Sequence, residues 1–154
     1  MIDEHYRNLP KKRMGVGVLI FNNKEEVLIV KTSYKDHWSM VGGVVDEDES
    51  PRSACKREIK EEIGIDLKEV KFLSIDYRPD YKNRGESLQF IFSGGILNDE
   101  ESKNIKLDGK EIIDYKFVKF DEALQLLSEK SSLGFAKSFE ALKNNMAVYL
   151  EDGK

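Results

Sequence analysis

Between Gly43 and Ile65 the chain reads GVVDEDESPRSACKREIKEEIGI, and three of its carboxylates, Glu58, Glu61 and Glu62, stand three and four residues apart. On a helix those separations make neighbours, and each like-charge pair costs about 0.2–0.5 kcal/mol without a counterion. The chemistry this spacing asks for is the capture of a divalent cation. Mg²⁺ suits it: a hard ion that takes one or a few carboxylates, keeps several waters and completes its shell with substrate phosphates.

The element that must carry the carboxylates can be read from its ends. Ser50 is a good N-cap and Pro51 fits the first helical position, where a missing N–H costs nothing. Gly64 fits the left-handed residue that stops a helix, so the spacing predicts a helix from Pro51 to Ile63. At helical periodicity Cys55, Ile59 and Ile63 form one narrow apolar stripe, with small Ala54 and the three glutamates in the adjoining sector and Lys56 and Lys60 toward solvent. One edge packs on a core while the next presents the acids, which holds a site rigidly.

An isolated EIKEE would read as a solvated face. The longer pattern, Gly43, Glu49, Arg57, Glu58, Glu61, Glu62 and Gly64 at fixed intervals, makes seven identities. At about 7% per residue type, chance agreement is on the order of one in a hundred million per starting position. The segment resembles the Nudix box of the Nudix (MutT-like) hydrolases, and every defining position of that box is present. The resemblance implies a Mg²⁺- or Mn²⁺-dependent hydrolase that cuts the diphosphate bond of a small nucleoside diphosphate derivative or nucleoside triphosphate by attack of water on phosphorus. It implies Glu58, Glu61 and Glu62 as metal ligands, with the Gly43 carbonyl a further one, and a Glu49–Arg57 ion pair that orients them. It also implies the Nudix α/β/α sandwich with a mixed β-sheet, a single domain over residues 1–154 with its box at 43–65. An arginine among ligating carboxylates keeps them ionised and correctly turned.

Flanking residues extend the resemblance. Trp38-Ser39-Met40-Val41-Gly42-Gly43 is similar to the family's tryptophan followed by Pro-Gly-Gly, with Val41 in place of the usual proline. Two glycines let backbone approach a ligand closely. For the general base, which some relatives draw from the box and others from a separate loop, Glu111 is the candidate: it stands six residues ahead of Phe117, at the entrance to a predicted strand. A solvated loop carboxylate is the plain alternative, and Glu86 and Glu101 are weaker competitors. For substrate binding, Tyr34 and Trp38 precede the glycine loop and are placed either to stack on a base or to sit as core or rim aromatics. Arg78, in a cluster with Tyr77, Tyr81 and Arg84, offers a paired hydrogen-bond clamp for a phosphate. Pro79 and Tyr81 fall near positions marking both ADP-ribose-cleaving and dinucleoside-polyphosphate-cleaving relatives and do not separate them.

The elements around the box alternate in type. Met14–Phe21 and Val27–Lys31 read as strands joined in a hairpin by Asn22-Asn23; Val70–Tyr77, Ser87–Leu97 and Ile112–Lys119 read as three more, with a bulge or bend at Gly94-Gly95. Asp121 is expected to cap a helix through Leu127, and Leu133–Asn144 gives another, with Phe135, Phe139 and Leu142 at core spacing. Val148-Tyr149-Leu150 is a short strand or a docked tail. This order suits a mixed sheet covered by helices on both faces.

A chain of 154 residues has the size of one domain and buries enough surface to dispense with disulfides. Its only cysteine, Cys55, lies on the apolar stripe and suits a reducing compartment. No apolar leader and no long apolar run is present, so a cytoplasmic protein without membrane association is expected. Net charge is −4, with acids gathered at Asp46–Glu49, which argues against a general nucleic-acid surface but not against phosphates carried with cations. The expected partner is a small nucleotide, and the chain is expected as a monomer or homodimer. Two alternatives stay open: a non-catalytic Nudix-fold nucleotide sensor, which intact box glutamates disfavour, and an RNA 5′-end pyrophosphohydrolase, which the acidic balance disfavours.

Overall fold

The computed structural model describes residues 1–154. Seven strands form one mixed sheet: β1 (Arg13–Phe21), β2 (Val27–Thr32), β3 (Val41–Val44), β4 (Lys71–Arg78), β5 (Ser87–Ile96), β6 (Ile112–Val118) and β7 (Val148–Glu151). The helices are α1 (Glu4–Arg7), α2 (Pro51–Ile63), α3 (Asp99–Lys103), α4 (Phe120–Leu126) and α5 (Glu129–Lys143). The main path runs β6-β2-β1-β5-β4-β7, and β3 also pairs with β1. This is the expected mixed α/β arrangement.

Side-chain alternation explains why the sheet is covered on both faces. Along β1, Val16, Val18 and Ile20 point to a core that includes Cys55, Ile59 and Ile63 of α2, while Leu19 and Phe21 point to a second core closed by Ala123, Leu127 and Phe135. Strand β2 divides in the same way, Leu28 and Val30 to one side, Val27 and Ile29 to the other. Strands buried on both faces need near-continuous apolar runs, and VGVLIF and VLIV supply them.

The predicted hairpin is corrected in one respect that matters for function. Strands β1 and β2 are antiparallel but pair only at Phe21 and Val27, beside their turn. Beyond that point they splay, because β3 occupies the edge of β1 from Gly15 to Val18 and satisfies its backbone there. The glycine loop read from the sequence is thus itself a strand, and Ser39 bridges it back to Val30 of β2. The bulge at Gly94 is present: β1 and β5 run parallel in register until Leu19 opposes Ser93 and Ile20 opposes Gly95, leaving Gly94 unpaired.

The box helix has the predicted ends. Ser50 Oγ accepts the Ser53 N–H at 3.1 Å, and Gly64, at φ 73°, donates to the Lys60 carbonyl. Elsewhere boundaries moved. Asp121 does not cap α4; Lys119 holds that position without a side-chain bond, and Asp121 lies in the first turn, where its charge suits the helix dipole. Helix α5 starts a turn earlier than expected because Ser128 accepts the Ser131 N–H at 3.2 Å. Val148–Glu151 is a strand, parallel to β4. Helix α3, closed by a capping box between Asn98 and Glu101, and the single turn α1 were not anticipated.

Ile59 is fully enclosed between α2 and the sheet. Ile59→Ala is expected to lower unfolding free energy by about 2–5 kcal/mol, the usual range for such a deletion. A urea titration measures this as a lower midpoint at unchanged slope; an unaltered midpoint would place α2 outside the cooperative core.

Candidate active site

The splay of β1 from β2 opens a cleft of about 500 Å³. Its walls include Gly15 and Gly17 of β1, Gly42 and Gly43 of β3, and Glu58, Glu61 and Glu62 of α2, with Tyr34, Arg78 and Glu111 from three further segments. Gly43 is required by close approach: a Cβ there would collide with the Glu58 carboxylate, and one on Gly42 would collide with the Val16 carbonyl.

Arg57 organises the acidic edge. Its Nε donates to Glu49 Oε2 at 2.7 Å and one Nη to Glu49 Oε1 at 2.9 Å, a two-pronged pair. The other Nη donates to Glu58 Oε1 at 3.0 Å and Glu61 Oε2 at 3.1 Å, and the Val44 carbonyl accepts a further bond at 3.0 Å. These bonds, above all the one to Glu49, hold the guanidinium above its ordinary pKa. In return the Arg57 bond, aided by the Asp46 N–H, draws Glu49 down to about 2.

The three helix carboxylates occupy different environments. Glu61 is the most exposed of them, whereas Glu62 is only 6% exposed and accepts the Gly42 N–H at 2.8 Å. Burial pushes Glu62 up to about 8 against the effect of that bond, with Glu58 and Glu111 adding repulsion. Burial raises Glu58 as well, opposed by Arg57. No three of these acids converge at metal-binding distance, since Arg57 draws Glu58 and Glu61 toward itself while Glu62 turns to Gly42. The donor chemistry nevertheless fits a hard divalent ion: several carboxylates crowded on one cleft wall, two of them destabilised as anions by burial, beside a glycine that leaves room for them.

Tyr34, Glu111 and Arg78 line this cleft. The Tyr34 hydroxyl donates to Glu111 Oε1 at 3.1 Å, so the ring is tied at its tip to the carboxylate. Trp38 is placed apart from them. Its ring packs on the α4–α5 core under Lys116, whose Nζ lies 4.8 Å from the ring centroid, so Tyr34 is the aromatic of the pair that faces the cleft. Glu86 is bound to Lys12 and Tyr77, and Glu101 closes the cap of α3. Sequence reading missed Gln89 and Asp76. Gln89 lies opposite Gly15 in register, its amide filling the space a side chain there would need. Asp76 sits two residues before Arg78 on the same strand face and bonds its Nε at 3.2 Å; a lone acid inside FLSIDYR was the available signal.

The family profile described as NUDIX domain matches residues 11–139. An RNA pyrophosphohydrolase of Ruthia magnifica subsp. Calyptogena magnifica is 37% identical over 76 residues, a match that takes in 45% of this chain and only 42% of that protein. A protein of the same name from Hydrogenovibrio crunogenus is 38% identical over 122 residues, covering 67% of this chain and 74% of the relative. Among solved structures, a MutT protein from Methanosarcina mazei Go1 superposes with a TM-score of 0.69 at 24% identity, covering 90% of this chain and 99% of that one. No helix is long and apolar enough to cross a membrane.

Glu49, held ionised by Arg57 and the Asp46 N–H, stabilises the fold fully above its ordinary pKa near 4.5 and loses that contribution as pH falls toward about 2. Glu49→Gln is therefore expected to lower the melting temperature at pH 7 and to flatten its decline between pH 5 and 2. Parallel melting curves for the two proteins across that window would remove the assigned ion pair.

Proposed function

Since this chain belongs to the Nudix hydrolase family, we propose that it is a divalent-metal-dependent pyrophosphohydrolase acting on a small nucleoside diphosphate derivative or nucleoside triphosphate. The observation that carries this reading is the complete α2 carboxylate cluster, with Glu58 and Glu61 held by Arg57 and Glu62 by the Gly42 N–H, at the edge of a cleft of about 500 Å³. A sensor without catalysis would have no use for three intact acids that repel one another.

In this reading Glu58, Glu61 and Glu62, with the Gly43 carbonyl, hold Mg²⁺ or Mn²⁺, and Glu49 and Arg57 set the direction of the first two. The cation, when bound, neutralises phosphate charge and acidifies water. Glu111 takes the proton from the attacking water, and the Tyr34 hydroxyl, 3.1 Å away, fixes the rotamer in which it does so. Tyr34 thereby serves as a positioning residue rather than a stacking platform. Arg78 anchors a phosphate oxygen on another wall. Trp38 acts only through packing.

A second reading, removal of pyrophosphate from an RNA 5′ end, is favoured by the names of the two bacterial relatives and by one feature of the structure. Near Arg78, whose Nη points at the Lys130 carbonyl, Lys130 Nζ lies 3.9 Å and Lys82 Nζ 5.0 Å from the Tyr81 ring centroid, a cationic cluster around one aromatic. The two readings share the same catalytic wall and differ in what lies beyond the cleft. The metal preference and the assignment as a cytoplasmic monomer or homodimer belong to the proposal in the same way.

Incubation with Mg²⁺ and a panel of ADP-ribose, dinucleoside polyphosphates, nucleoside triphosphates and a 5′-triphosphorylated oligoribonucleotide, with products identified by mass, is expected to yield cleavage between phosphates. Absence of turnover throughout the panel with either Mg²⁺ or Mn²⁺ would favour the sensor instead. Glu61→Gln, at an exposed position, is expected to abolish metal-dependent turnover with little change in melting temperature. Glu111→Gln is expected to lower kcat by roughly 10²–10⁴-fold as befits a lost base; an unchanged kcat would return Glu111 to ordinary surface.

A further inference from the structure

We propose that Asp76 is a positioning residue for substrate binding, acting through Arg78, and that the turn following β7 belongs to the same device. The inference rests on the reading of the cleft as a nucleotide site. Asp76 lies inside the sheet, opposite Gln89 of β5 on one side and Leu150 of β7 on the other, and is 2% exposed. Its Oδ2 accepts the Arg78 Nε–H at 3.2 Å and its Oδ1 accepts the Gly153 N–H at 3.1 Å. A carboxylate so placed is tolerable only when both oxygens are satisfied. Breaking either bond would leave it stranded.

Arg78 is held on more than one side. One Nη points at the Lys130 carbonyl at 3.5 Å, and Gly134 of α5 brings that helix close to the same guanidinium. The other Nη has no protein partner, and the residue lines the cleft together with the α2 carboxylates. With Nε committed to Asp76, the fork keeps a fixed orientation and offers its remaining N–H groups to an anionic oxygen. An arginine ordered in advance loses less freedom when the ligand arrives than one ordered by it.

The turn supplies the other half of the hold. Glu151 and Lys154 bond to each other through their backbones, the Asp152 N–H donates to Tyr77, and Gly153 lies against Leu133 of α5. The parallel addition of β7 to β4 thus places a backbone donor at Asp76 from beyond the sheet edge. An apolar pair at these two positions would pack with no such dependence. The structure gives the ion pair a use that packing alone does not: it aims a cation into the cleft.

Asp76→Asn is the informative variant. Its amide oxygen still accepts from Gly153, but its NH₂ cannot accept from Arg78 Nε. Calorimetry with ADP and Mg²⁺ is expected to give a Kd weakened about tenfold, the scale of one hydrogen bond to a charged group. Arg78→Lys should weaken ADP to a similar degree, and the double variant should be no weaker than either alone. In turnover assays KM should rise more than kcat falls. In the unsubstituted protein, the Arg78 Nε–H resonance should shift on addition of ADP, a readout independent of how any variant folds. No ADP binding, no shift of that resonance, an unchanged Kd in Asp76→Asn, or additive losses in the double variant would each overturn the inference. Failure of the nucleotide panel with ADP binding and coupling intact would instead sink the hydrolase reading and leave this one standing.

Discussion

The structure around the cleft depends on how negative charge is held at the rim of an apolar core. Helix α2 presents its aliphatic edge to the sheet and its acids to the cleft, so the same packing that buries Ile59 and Ile63 also removes Glu62 from water. Arg57 and the Gly42 amide divide the work of holding these acids. The guanidinium satisfies Glu49 with two bonds and reaches Glu58 and Glu61 with a third donor, while Glu62 depends on the Gly42 amide. One cation of the chain thus pairs with four acids, Asp46 included, and leaves a surplus of negative charge, the condition under which a divalent ion gains most from binding.

The cleft is a consequence of strand competition. A regular β1–β2 hairpin would have closed the sheet here. Strand β3 takes the edge of β1 instead, and the two long strands part beyond Phe21 and Val27. Glycines at positions 15, 42 and 43 let Gln89, the Val16 carbonyl and Glu58 approach the backbone more closely than any side chain there would allow. The acids, the Tyr34–Glu111 pair and Arg78 are carried by separate segments that meet only because of that separation.

Membership in the Nudix family and the proposed chemistry account for the acidic wall more fully than for the rest. On the wall with Arg78, the ion pair with a buried aspartate ties the cleft to α5 and to the turn beyond β7. Close to Arg78, Lys82 and Lys130 gather around the Tyr81 ring, outside the cleft lining.

Much of this was legible in residue order. The limits of α2 follow from Ser50, Pro51 and Gly64 because helix ends are local, and the apolar stripe follows from periodicity. The Gly94 bulge was readable from its paired glycines, whereas the division of β1 between two cores came from the structure. Boundaries that depend on a capping choice, as at Lys119 or Ser128, were less readable, since several nearby residues could serve. What only the tertiary structure decided is who stands next to whom across distant segments: β3 displacing β2 from β1, Trp38 packed into a core while Tyr34 reaches Glu111, and Asp76 joined to Gly153. Local chemistry is written in neighbouring residues, whereas strand pairing is settled by a contest among edges for the same backbone hydrogen bonds, and a linear string records the contestants without the winner.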